Sequence, residues 1–144
     1  MKQNDPCVEC GRYNNRGISI DAVIIRNHDI LLIKRGIEPF KNRWALPGGY
    51  IDWDESVEDS VKREVKEETG LIVGKLRLIG VYSSPERHPK QVIDIAYLIL
   101  EAKGSVVVGD DASDSEWFAM GLLPKQLAFD HSTIIKDAMQ LVSK

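Results

Sequence analysis

GYIDWDESVEDSVKREVKEETGL, residues 49–71, decides the fold. Its centre reads as a helix from Ser56 to Thr69, because Val57, Val61 and Val65 recur every four residues and form one apolar stripe. Ser56 is a natural N-cap with Asp59 three residues on, close to a capping box. Gly70 suits the left-handed residue that ends a helix. Glu64, Glu67 and Glu68 stand at i, i+3 and i+4 of this helix. At about 100° per residue they share one face, with Cβ atoms roughly 5–6 Å apart. Three carboxylates so placed repel one another, destabilise the helix and raise at least one pKa. A hard divalent cation, Mg2+ or Mn2+, relieves the conflict through oxygen ligands. Glu55, just before the helix, joins the acidic cluster. Gly48 and Gly49 let the backbone approach a ligand closely and offer carbonyls to a metal. Arg63 points about 100° around the helix from Glu64 and reads as a clamp on a carboxylate near the helix start, Glu55.

Outward from this stretch the chain is mainly β. Ile18, Ile20, Ala22 and Ile24 alternate with Ser19, Asp21 and Val23, as in a strand. A turn at Arg26–Asp29 leads to a second strand, Ile30 to Lys34, so the two form a hairpin. After the helix, Leu76 to Tyr82 and VIDIAYLIL (92–100) read as strands, followed by short ones at Ser105–Val108 and Glu116–Phe118. Ile134, Ile135, Ala138, Met139 and Val142 have helical spacing and make a terminal helix. Trp44, beside Ala45 and Leu46, reads as core. The class is α+β, an α/β/α sandwich with a mixed sheet. Residues 1–16 read as an N-terminal segment and 17–144 as one domain.

The chain of 144 residues, 43% apolar and 28% charged, suits a soluble single-domain protein. A net charge of −3 supplies no field for nucleic acid or an anionic membrane. No apolar run approaches the roughly 20 residues that span a bilayer, and Met1-Lys2-Gln3 does not open a signal peptide; a cytosolic (cytoplasmic) protein is expected. Cys7 and Cys10, in CVECG, resemble half of a zinc ribbon without its other half. An idle pair, a zinc shared across a dimer and a redox pair are the readings that remain.

A helix rich in Glu and Lys is usually only a solvated face. The complete spacing outweighs that reading: Gly49, five residues, Glu55, seven residues, Arg63-Glu64-Val65, one residue, Glu67-Glu68, one residue, Gly70-Leu71. This is the full signature of the Nudix hydrolases, and WALPGG and LIKR also resemble members of that family. The resemblance covers nearly all of the chain after about residue 17. It implies a Nudix sandwich fold, with Glu64 and Glu68 as principal metal ligands, Glu67 assisting and the Gly48 carbonyl contributing. It also implies attack of water on a pyrophosphate phosphorus, driven by positioning and electrostatics.

Pro85, fifteen positions past Gly70, together with SEWFAM and LAFDHSTII, is similar to the ADP-ribose pyrophosphatase subgroup. The expected substrate is ADP-ribose, ahead of other nucleoside diphosphate derivatives or an oxidised nucleotide. The same strings resemble Nudix-like domains of regulators that sense NAD metabolites, but those carry a DNA-binding domain, which is not expected after Lys144. Arg35 and Arg43 are candidates for a phosphate, and Tyr50, Phe40 or Tyr82 for stacking on a base. Glu86 and Glu116, on loops outside the box, are candidates for general base, and so are the box glutamates. Related enzymes that act on ADP-ribose are often homodimers.

Overall fold

A computed structural model describes residues 5–106 and 115–142 of the chain. The strands are β1 (Ile18–Arg26), β2 (Asp29–Lys34), β3 (Trp44–Ala45), β4 (Gly48–Tyr50), β5 (Ile72–Val73), β6 (Leu76–Tyr82), β7 (Ile93–Ile99), β8 (Ala102–Lys103) and β9 (Ser115–Ala119). The helices are α1 (Val57–Thr69) and α2 (His131–Val142). One mixed sheet runs β3-β2-β1-β7-β6, with β4 also on β1 and β9 on β2. β1 and β7 are parallel, and the expected β1–β2 hairpin is present.

Alternation along β1 separates two cores. Ile20, Ala22 and Ile24 face α1 and pack with Val61, Val65, Leu71, Tyr97 and Ile99. Val23 lies in the opposite cluster, with Ala96, Leu98 and the α2 residues Ile134, Ile135 and Ala138. β7 contributes to both clusters, which explains its nearly continuous apolar run. The layers are α/β/α, as the pattern predicts. Trp44 is half-buried, edge-on to Phe118 at 4.8 Å in the second cluster.

The caps of α1 also form as predicted. Ser56 Oγ accepts from the Asp59 N–H at 3.1 Å. Gly70 has φ 80°, and its N–H donates to the Lys66 carbonyl. Thr69 Oγ1, fully buried, donates to the Val65 carbonyl at 2.6 Å and accepts from Leu71 N–H. Tyr97 on β7 donates its hydroxyl to Glu58 on α1 at 2.9 Å, which fixes the helix across the sheet. The helix that carries the glutamates is therefore held at both ends and along its apolar stripe.

One strand falls elsewhere than expected. Ser105 and Val106 are not in a strand, and Val107 and Val108 lie outside the described residues. The pairing partner is instead Ala102–Lys103, which forms a two-stranded ribbon with Ile72–Val73. Gly104 at φ 101° ends that ribbon, and the chain turns there before the Ser-Val-Val string that reads as β from composition. Among the described residues no helix is long and apolar enough to cross a membrane.

Gly70→Ala places a Cβ on a left-handed residue, which costs about 1 kcal/mol. Urea unfolding monitored by circular dichroism is expected to show that loss, with α1 still formed in the native baseline.

Candidate active site

The cleft begins where the sheet forks. One edge of β1 is occupied by β7. On the other, Ser19, Ile20 and Asp21 pair with Tyr50, Gly49 and Gly48 of β4, whereas Ile25 and Arg26 pair with β2. β4 and β2 leave β1 at different heights, and the gap between them opens a cleft of about 640 Å³. Its walls come from β1, the end of β2, β4, α1, the 85–92 loop and the start of α2.

Glu64, Glu67 and Glu68 all line this cleft, as their helical spacing predicts. Glycine is needed opposite them. A Cβ at Gly49 would stand 2.5 Å from Glu64 Oε1, and one at Gly48 would collide with the Ile20 carbonyl and the Asp21 carboxylate. Glu68 is mostly buried. Its Oε2 accepts from the Gly48 N–H at 3.2 Å, and among the described residues no Arg or Lys forms an ion pair with it. Burial, reinforced by the charges of Glu64, Asp21 and Glu67, pushes its carboxyl up to about 8. Burial also raises Glu64, against the opposing pull of Arg63.

Arg63 is the clamp that the sequence predicts, and more. Its Nε and Nη2 grip Glu55 at 2.9 and 2.7 Å, a bidentate fork that holds Glu55 down to about 2. Nη2 also donates to the Tyr50 carbonyl at 3.1 Å. The expected divergence from Glu64 is corrected: Nη1 donates to Glu64 Oε1 at 2.9 Å and to Glu67 Oε2 at 3.3 Å. A long flexible side chain overrides the helical angle of its Cβ. With Arg63 drawing on these carboxylates, no group of three or more His, Cys, Asp or Glu among the described residues is gathered to hold a metal ion. The donor chemistry still fits a hard cation, because Glu64 and Glu68 are partly dehydrated carboxylates beside a strand stripped of side chains.

The other residues singled out from the sequence are divided by the fold. Arg35 lines the cleft, half-buried, its Nε donating to the Pro39 carbonyl at 2.7 Å and its guanidinium 4.9 Å from the Phe129 ring. Tyr50 lines it too and remains 53% exposed. Arg43 does not line the cleft; it lies over Phe40 at 5.2 Å, and Phe40 itself packs edge-on against Phe129. Tyr82 points away into the second core, donating to Asp137 on α2 at 2.7 Å, so it presents no face to a base. Glu86 and Glu116 are both exposed and outside the cleft lining; Glu86 sits in a 3-10 turn after Ser84, and Glu116 on β9 opposite Leu32.

Sequence reasoning missed a buried polar floor. His131 opens α2, and its Nδ1 accepts from the Leu46 N–H at 3.0 Å. Its proton therefore sits on Nε2, which donates to Asp21 Oδ2 at 3.1 Å. Burial drives His131 down to about 4 and Asp21 up to about 7, so the imidazole is neutral and this is a hydrogen bond to the Asp21 carboxyl, not an ion pair. Beside them Asp94, fully buried and raised well above the usual carboxylate range, accepts from the Ser19 hydroxyl at 2.7 Å. Arg87 is locked bidentately to Asp130 at 2.9 and 2.8 Å, and His88 stacks on Phe129 at 4.9 Å. The available signal was a Ser and an Asp at alternate positions of a strand buried on both faces, and the FDH of LAFDHSTII.

Comparison with known proteins places this architecture. The family model for the NUDIX domain matches residues 15–138. An ADP-ribose pyrophosphatase of Methanocaldococcus jannaschii is 48% identical over 129 residues, spanning 89% of this chain and 76% of that protein. The crystal structure of a MutT/nudix family protein from Enterococcus faecalis superposes with a TM-score of 0.82 at 33% identity, over 94% of this chain and 65% of the other. The NUDIX domain of Shewanella oneidensis NrtR, solved with ADP ribose, superposes at 0.81 with 26% identity over 90% of each.

Glu68 makes the metal-free protein sensitive to pH. Its carboxyl rises from 4.5 to about 8 on folding, so the folded state is favoured fully below the unfolded value and loses stability as pH rises through the folded one. Thermal unfolding in chelator is expected to fall across that window in the wild type and to fall less steeply in Glu68→Gln, where Asp21 and Asp94, also raised by burial, keep part of the slope. Separately, His131→Phe keeps bulk but strands the Leu46 N–H, at a cost of about 1–3 kcal/mol in urea unfolding.

Proposed function

The chain belongs to the Nudix family and is a hydrolase of that family; on that premise we propose that it is a divalent-metal-dependent pyrophosphatase of nucleoside diphosphate derivatives, with ADP-ribose its preferred substrate. The observation that carries the reading is Glu68, mostly buried at the cleft wall and held up to about 8, with a backbone N–H as its hydrogen-bond partner among the described residues. A dehydrated carboxylate next to Glu64 is costly for a fold to keep unless a cation neutralises it. Glu64, Glu68 and Glu67, with the Gly48 carbonyl, would hold Mg2+ or Mn2+. Bound there, such an ion supplies positive charge against a diphosphate and acidifies water.

The chain's own groups account for the rest. Arg63 holds Glu55, Glu64 and Glu67 in register before substrate arrives, so little reorganisation remains at the moment of reaction. Within the same cleft, Arg35 meets a phosphate oxygen and Tyr50 offers an aromatic face to the adenine. Water adds to one phosphorus, the bridging P–O bond breaks, and AMP and ribose 5-phosphate leave as phosphate monoesters, with two protons released when both are fully ionised. The similarity to an ADP-ribose pyrophosphatase over most of both chains, and to a domain solved with ADP ribose, supports this substrate over a nucleoside triphosphate. The relative with ADP ribose bound also motivates a second reading, a module that binds ADP-ribose without cleaving it. The intact set of box glutamates favours turnover.

With Mg2+ or Mn2+, purified protein is expected to convert ADP-ribose faster than nucleotide sugars, dinucleotides, nucleoside triphosphates or 8-oxo-dGTP, with AMP and ribose 5-phosphate seen by chromatography. Tight binding of ADP-ribose without products would support the sensing module instead, and preference for a triphosphate would overturn the substrate. Because neither Glu86 nor Glu116 lines the cleft, Glu86→Gln and Glu116→Gln are expected to keep turnover within about threefold. A general base is worth roughly 10²–10⁴-fold, so a loss of that size in either variant would restore it to that role.

A further inference from the structure

Cys7 and Cys10 do not line the cleft. Residues 6–13 form a small hairpin: Pro6 and Tyr13 pair as a bridge, the Cys7 N–H donates to the Arg12 carbonyl at 2.7 Å, and the Gly11 N–H donates to the Cys7 carbonyl at 2.8 Å. Gly11, at φ 74°, makes the turn that brings Cys7 and Cys10 to one side. Both thiols are free, Cys10 exposed and Cys7 partly so. The backbone N–H groups of Cys10 and Glu9 point at the Cys7 sulfur. A hairpin turn with two thiols separated by two residues, and amide hydrogens pointing at sulfur, is the geometry of a metal knuckle. A redox C-x-x-C instead gains its reactivity from a helix N-terminus or a neighbouring cation, and residues 8–10 form a turn, not a helix.

Zinc takes four ligands, and this chain offers two here. No described group of three or more His, Cys, Asp or Glu completes a site. His131 is buried with both ring nitrogens engaged. His88 is stacked on Phe129, and its Nδ1 accepts from Lys90. His28 lies past the far end of β1, on the order of 25–30 Å along the strand from Gly17. Three large apolar side chains stand uncovered around the hairpin, among polar neighbours such as Glu9 and Arg12: Val8, between the two cysteines, is 89% exposed, Tyr13 58% and Trp53 85%. Arg12 reaches over the Trp53 ring at 6.0 Å, which sets the hairpin beside the loop that precedes α1. Exposed aromatic and aliphatic side chains around an incomplete ligand pair mark a contact surface.

We propose that Cys7 and Cys10 form half of a tetrahedral zinc site that a second copy of this chain completes with its own Cys7 and Cys10, one zinc ion joining the two N-terminal hairpins. A two-fold axis through the ion brings identical pairs together and buries Val8 and Tyr13 of each copy, the self-complementary arrangement of an isologous dimer. The site is structural and closed, separate from the oxygen-ligand site on α1, whose hard donors suit a different metal.

The full chain, purified in reducing buffer without chelator, is expected to hold about one zinc per two chains by elemental analysis and to run as a dimer by light scattering. Cobalt exchanged into the site should give the intense visible bands of tetrahedral thiolate coordination. Cys10→Ser is expected to lose the zinc and the dimer while keeping hydrolytic turnover, and Glu68→Gln to keep both zinc and dimer. If Cys10→Ser misfolds, a zinc-selective chelator added to the wild type gives the same reading through the change in mass. One zinc per monomer, no zinc with a Cys7–Cys10 disulfide, zinc lost in Glu68→Gln, or a dimer unchanged by zinc removal would each overturn the proposal.

Discussion

Two glutamates of α1 are pressed, partly dehydrated, against a strand that accepts them only because it lacks side chains there. Gly49 faces the Glu64 carboxylate, and Gly48 lies between Glu68, Asp21 and the Ile20 carbonyl. Everything else in the site follows from keeping that contact. The helix must not slide, so its ends are capped and its valine stripe is buried. The carboxylates must not splay, so Arg63 spans the loop and the helix with bonds to Glu55, Glu64, Glu67 and the Tyr50 carbonyl. Within this partly exposed network, removing Arg63 would leave the covered carboxylates of Glu55 and Glu64 without their opposing charge, a larger loss than a fully exposed pair would bring.

The fork in the sheet turns this contact into a cleft. β4 and β2 share one edge of β1 but at different heights, so the acidic face of α1 looks into a space whose other walls are Arg35, His88 and Phe129. On the proposed reading, a ligand carrying a diphosphate between two organic groups would meet in this one cleft both the carboxylates suited to cations and the Arg35 guanidinium with its aromatic surface. His131 ties α2 to the strand segment that holds the glycines, through Leu46 on one nitrogen and Asp21 on the other. The two helices, on opposite faces of the sheet, thus meet at the floor of one site.

Much of this was legible before the fold was seen. Local signals carry local facts: the valine spacing, Ser56 and Gly70 fix α1, and the i, i+3, i+4 glutamates fix the acidic face. The clamp by Arg63 on Glu55 was also readable, although its reach to Glu64 was not, because helical angle places Cβ and not a guanidinium four bonds away. What failed was non-local. Tyr82 and Arg43 are near the box in chain order or in character, yet the sheet carries Tyr82 to α2 and Arg43 to Phe40. Asp21, Asp94 and His131 lie far apart in sequence and meet only because β1 and β7 run parallel beneath the start of α2. Of the strand expected over Ser105–Val108, Ser105 and Val106 are not in a strand and the rest lies outside the described residues, while a two-stranded ribbon closes earlier, at Ala102–Lys103 opposite Ile72–Val73.

The central claim is that the crowded carboxylates of α1 exist to hold a divalent cation. Calorimetric titration of the purified, substrate-free protein with Mn2+ tests it most directly. Wild-type protein is expected to bind, with affinity at least about tenfold weaker in Glu68→Gln and in Glu64→Gln while both variants remain folded. Equal affinity in wild type and both variants would contradict the account, because the buried pair would then have no part in metal binding.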